Sequence, residues 1–94
     1  MPAYVIGHIT VRDAVRWQDY VSQVGATIAA HGGEILFRGE TKDVLNGEHD
    51  FERVVALRFP DAAAVSRWHS SPAYQALIPV RDAAAKVTLV SYIS

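Results

Sequence analysis

Arg38 and Arg81 are the side chains in this sequence best suited to hold a ligand. A guanidinium at the rim of a cavity grips a carboxylate, enolate or phenolate through paired hydrogen bonds. The structural alternative is a salt bridge to Asp82, Glu40 or Glu34 that fixes a strand end or a short helix. His8 lies between Ile6 and Thr10 in an apolar stretch and is a candidate general acid or base where it opens into a cavity. Its alternative is a histidine hydrogen-bonded within a core or an interface. Tyr74 is the second candidate for moving a proton. Trp68 and Tyr20, together with Trp17, have the rings that wall an aromatic or apolar pocket, and the same stripe serves as core packing between helix and sheet. Arg53 and Arg58 read as structural, on a face available to a second subunit.

Other chemistries find no support. His31, His49 and His69 fall at helix ends and in a turn, and no pair has the i, i+4 spacing or an acidic ligand pattern that makes a metal site; a lone histidine, His69 beside Trp68 foremost, is weak evidence for haem, so no metal or other cofactor is expected. Ser71 precedes Pro72 as a helix cap, and no nucleophile elbow surrounds it. The glycines form no phosphate-cradling loop. Nine Lys and Arg against ten Asp and Glu give a net charge of −1 with no block of one sign, which argues against a nucleic-acid partner. With no cysteine there is neither a disulfide framework nor a thiol nucleophile. Apolar runs are far shorter than the roughly 20 residues that span a bilayer, and no basic stretch leads into an apolar signal segment. The expectation is a complete soluble protein, in the cytoplasm.

Four strands and two main helices must position the candidates. Residues 3–11 and 86–93 are rich in β-branched and aromatic side chains and read as the first and last strands. Asp13 caps a helix over about 14–30, in which Trp17, Val21, Val24 and Ile28 recur at helical spacing, and Gly32-Gly33 ends it. A second strand is expected over about 34–45, joined through a turn at Asn46-Gly47 to a third over 53–59. Asp61 caps a second helix over 62–69. Ser71-Pro72 starts a separate turn or two over 73–77, and Pro79 is expected to break or kink it.

The order β-α-β-β-α-β predicts one α+β domain over residues 1–94, a ferredoxin-like four-stranded antiparallel sheet with both helices on one face. The other face would then be bare. Yet the first strand places Tyr4 and Ile6 on one side and Val5 and Ile9 on the other, and the third strand is apolar on both sides as well. A solvated face more often reads polar. At 94 residues a lone chain buries only roughly 60 to 65% of its unfolded surface, and a sheet-to-sheet homodimer covers the second face most simply.

The first-strand pattern with Asp13, then Tyr20, Gly32-Gly33, Arg38-Gly39, Arg53, Phe59-Pro60, Trp68, Ser71-Pro72-Ala73-Tyr74 and Arg81, resembles the domain-of-unknown-function family 1330 over nearly the whole chain. One departure is Leu45-Asn46-Gly47, where many relatives carry an acidic residue before the glycine, so no carboxylate role carries over there. The resemblance implies a dimeric α+β barrel with back-to-back sheets and a cavity between each sheet and its helices. It implies no reaction: the wider superfamily includes cofactor-independent monooxygenases, haem-degrading enzymes, decarboxylases, isomerases and non-catalytic binders. Three readings stay open. The protein is a cofactor-independent enzyme acting by proton transfer or oxygenation on a small anionic or aromatic metabolite, a non-catalytic or stress-associated binder of such a molecule, or a structural dimer with a filled interior.

Overall fold

Carboxylates start both main helices. In a computed structural model describing residues 1–94, the Asp13 side chain accepts the Arg16 backbone N–H at 3.1 Å and that of Asp61 accepts the Ala64 N–H at 2.8 Å. Each satisfies a donor that the first helical turn leaves without a partner. The chain runs β1 (Ala3–Val11), α1 (Ala14–Ala29), β2 (Glu34–Glu40), β3 (Arg53–Phe59), α2 (Ala62–Ser70), α3 (Pro72–Gln75), α4 (Ile78–Ala84) and β4 (Ala85–Ile93). The sheet order is β2-β3-β1-β4, every pair antiparallel, which is the ferredoxin-like α+β arrangement. After α1 the chain reverses at Gly32, whose φ of 75° favours glycine. At Gly33 a Cβ would lie 2.6 Å from both Ile28 and Phe59, so helix end and strand meet through the missing side chain.

The core lies on one face of the sheet. Val5 and Ile9 of β1 and Leu57 and Phe59 of β3 are buried against α1 and the α2–α3 region, where Trp68 and Tyr74 are almost wholly enclosed. Tyr4, Ile6, His8 and Thr10 point to the other face, beside Val54, Ala56, Val90 and Tyr92 of the neighbouring strands. There Phe37 is 56% and Tyr92 51% exposed. Both faces are therefore apolar, but only one is covered within the chain.

Two boundaries differ from the sequence reading. β2 ends at Glu40, and residues 41–52 form an irregular connection in place of a short turn at Asn46-Gly47. Thr41 N–H donates to Glu52 O at 2.7 Å and its hydroxyl to Phe51 O at 2.9 Å, pinching the base shut, while Glu52 N–H donates to Ile9 O at 3.1 Å and docks the return on β1. The connection's backbone bonds are made with its own base and with β1, so the strand pattern stops early. Pro79 begins α4 and does not break a helix: it occupies the first turn, where its missing N–H has no intrahelical role. The capping hydroxyl of Ser71 behaves as expected, accepting from Tyr74 N–H at 3.2 Å.

Candidate ligand cavity

The strands of the covered face do not close against α1 along their whole length. A cavity of about 350 Å³ remains between β1, β3, β4 and α1, and it opens at β2, where Arg38, Glu40 and Arg53 are exposed. Gly7 lies under two of its lining side chains: a Cβ there would come within 2.9 Å of Val55 and 3.0 Å of Leu89, so both occupy space that a larger residue would need. Trp17, Tyr20 and Trp68 supply the aromatic wall, with Trp17 stacked on Tyr20 at 5.1 Å between centroids. Trp68 is fixed by a hydrogen bond from its indole N–H to Thr27 Oγ1 at 3.1 Å, and Thr27 in turn donates to Val24 O at 2.7 Å. With its only donor used, Trp68 offers a ligand an apolar surface.

Arg38 reaches the mouth because β2 carries a bulge. Ile35 pairs with Leu57 on the covered face, Leu36 is the extra residue, Phe37 pairs with Ala56 on the open face, and Arg38 pairs with Val55 on the covered face. A regular strand would have put Arg38 opposite to Ile35. The inserted residue re-aims it, as bulges do.

Behind the aromatic wall three polar groups far apart in sequence form one chain. Tyr20 Oη and Tyr74 Oη are 3.0 Å apart, Arg81 Nη1 donates to Tyr74 Oη at 3.0 Å, and Arg81 Nε donates to Asp82 at 3.0 Å. The chain binds α1, α3 and α4 together at the level of the wall. Burial, then the neighbouring Tyr74, pushes the Tyr20 phenol far above the ordinary value of 10.0, with Arg81 opposing. Tyr20 therefore remains a neutral phenol, a donor and not a base. Burial acts to lower the pKa of Arg81, but Tyr74 and Asp82 outweigh it and the net shift is upward, so the guanidinium stays charged. Either phenol can be the donor in the Tyr20–Tyr74 bond, so Tyr20 has its hydrogen free for another acceptor only when Tyr74 donates to it.

The model of the family described as "Domain of unknown function (DUF1330)" matches residues 2–92. The chain belongs to this family. None of the curated proteins is a significant match. Among solved structures, a protein of unknown function from Rhodopseudomonas palustris is similar, with a TM-score of 0.82 at 19% identity over 97% of this chain and 80% of the other. A dimeric ferredoxin-like protein of unknown function from Jannaschia sp. CCS1 gives 0.79 at 13% identity, covering 100% of both chains. SnoaB, a cofactor-independent oxygenase from Streptomyces nogalater, gives 0.73 at 13% identity, over 99% of this chain and 92% of its own. At these identities the likeness is one of fold.

In this DUF1330 protein the six candidate residues divide into three groups. Tyr20, Trp68 and Arg38 line the cavity. Tyr74 and Arg81 stand behind it, and Arg81 is bonded to Tyr74 and Asp82 and is absent from the lining. His8 is on the open face and outside the cavity lining: its ring lies 5.1 Å from that of His49 and 5.8 Å from that of Phe51, and its shielded Nδ1 has no hydrogen-bond partner. Strand parity decides this, since His8 is one residue away from Ile9 on the covered face. Arg53, Glu40 and Gln18 line the cavity and were not singled out as ligand contacts. Arg53 shares the parity of Val55, Leu57 and Phe59, and that alternation was a usable signal. Arg58, of the other parity, meets Glu34 at 3.8 Å.

Proposed function

We propose that the protein is a sheet-to-sheet homodimer in which each protomer, one domain over residues 1–94, takes a compact and largely apolar organic molecule into the cavity between sheet and helices. Tyr20, oriented by Tyr74 and Arg81, gives that molecule a hydrogen bond, Arg38 holds an acidic group at the mouth, and Trp68 forms the apolar wall. The observation that carries this reading is the placement of the buried Tyr20–Tyr74–Arg81 chain directly behind an aromatic-walled cavity of about 350 Å³. Pockets of this kind, apolar with a few convergent polar groups, are the usual form of small-molecule sites. Homodimerisation is supported by the uncovered face bearing Phe37, Val90 and Tyr92.

A neutral phenol that holds its proton tightly suits stabilisation of an enolate by hydrogen bonding, while solvent delivers the proton that forms the C–H bond. Oxygenation without a cofactor joins the reactions to screen because a fold neighbour is described as such an enzyme. Binding without turnover is the second reading, favoured by the cavity lacking any histidine and by His8 facing the other way. No helix is long and apolar enough to cross a membrane, in keeping with a proposed cytoplasmic setting.

Native mass spectrometry of gently purified protein reports subunit number and any retained molecule together. A dimer carrying added mass is the expected result, and following that molecule during incubation separates turnover from storage. A bare monomer at high concentration would remove the dimer, and failure of a metabolite library to perturb the cavity tryptophans would remove the ligand.

A further inference from the structure

The charge of the cavity is confined to one end. Of its lining residues only Arg38, Glu40 and Arg53 are charged, and all three lie where β2 pairs with β3, Glu40 opposite Arg53 and Arg38 opposite Val55. Two guanidinium groups and one carboxylate leave one positive charge there. Neither Arg38 nor Arg53 lies within ion-pairing distance of a carboxylate or donates a side-chain hydrogen bond to the protein. Arg16, Arg58 and Arg81 each have a carboxylate partner. Apart from Gln18 and Tyr20, the rest of the wall is aliphatic and aromatic, with Trp17, Val24, Leu57, Trp68 and Leu89 among it. The bulge at Leu36 brings Arg38 to this mouth.

We propose that the ligand is an amphiphilic monoanion: a carboxylate held by Arg38 and Arg53 at the mouth, with an aliphatic or aryl body lying along Trp17 and Trp68. This rests on the cavity being a ligand site. Planar guanidinium groups match the two oxygens of a carboxylate, and an excess of one positive charge balances one anionic group. A second carboxylate on the far end of the molecule would lie among apolar side chains with no cation to meet it, which opposes its entry. An organic cation would meet two unpaired guanidinium groups at the entrance.

The protein's two tryptophans, Trp17 and Trp68, both line the cavity, so intrinsic fluorescence reports its occupancy. The test titrates the full chain with octanoate, octanamide and octanedioate, which share a chain length and differ in charge. Octanoate is expected to shift the tryptophan emission and bind about tenfold or more tightly than either analogue, the scale of one charge-assisted hydrogen bond. Arg38→Gln is expected to bring the octanoate curve to that of octanamide, while thermal unfolding confirms that the variant remains folded. Equal binding of octanoate and octanamide, equal binding of octanedioate, or an Arg38→Gln variant that binds octanoate as before would each overturn the monoanion while leaving an occupied cavity. Silence of the tryptophans toward all three would overturn the ligand-site reading beneath it.

Discussion

The two faces of the sheet are built from the same residue classes and differ in what covers them. On one face Val5, Ile9, Leu57 and Phe59 meet helices, and the interior holds a cavity. On the other, no helix covers Ile6, Val54, Val90 and Tyr92, only His49 and Phe51 of the 41–52 connection pack at His8, and Phe37 and Tyr92 are about half exposed. Apolar composition thus does not distinguish a core face from an open one; the covering element does. The covered face also carries the polar constellation of the site, whereas the open face carries the histidine that looked most like a catalyst.

The sharpest way to break the comparison is to empty each face in turn. Phe59→Ala removes a ring with 0% exposure and is expected to cost about 3–5 kcal/mol in chemical denaturation. Val90→Ala on the open face is expected to cost less than about 1 kcal/mol in the monomer, so equal losses would mean that both faces are already core. Next in size is the effect of a charge on the open face. Phe37→Asp is expected to weaken self-association by about 2 kcal/mol or more, read by sedimentation equilibrium, with the cavity tryptophans undisturbed. Retention of the dimer would place the interface elsewhere.

Smaller effects sharpen the covered side. Tyr74→Phe leaves Arg81 and Tyr20 without their shared partner and is expected to cost about 1–3 kcal/mol. Because the phenol of folded Tyr20 is pushed above its unfolded value, the folded state holds that proton more tightly. The associated stability is complete below pH 10.0, the ordinary value, and is lost as pH rises beyond it. The loss is at most about 1.4 kcal/mol per pH unit, and Tyr20→Phe should remove this slope. Denaturation midpoints at pH 9 and pH 11 in both proteins decide the point. Smallest of all is His8→Ala, expected to leave cavity binding unaltered.

Much of the fold was legible because it rests on local rules. Asp13, Asp61 and Ser71 were readable as caps, Gly32-Gly33 as a helix stop, and the strands from their β-branched runs, since each depends on residues a few positions apart. The early end of β2 was not, because Phe51 and Glu52, ten or more residues further on, stop it by bonding Thr41. Pro79 reads as a breaker or as a helix start depending on whether a helix follows. The aromatic wall was legible from helical spacing, whereas Arg53 was overlooked although its alternation with Val55 and Leu57 pointed to the cavity.

The sequence by itself determined the element order, the caps and the presence of two apolar sheet faces, because backbone periodicity and short-range hydrogen bonding act between near neighbours. Tertiary structure alone decided three things. A single extra residue at Leu36 turned Arg38 to the mouth, the packing of helices on the odd-numbered side of β1 turned His8 away, and the approach of α1, α3 and α4 brought Tyr20 within 3.0 Å of Tyr74 across 54 residues of chain. Strand parity flips with one inserted residue, and contacts between distant segments exist only once the layers have packed, so local pattern carries no record of either.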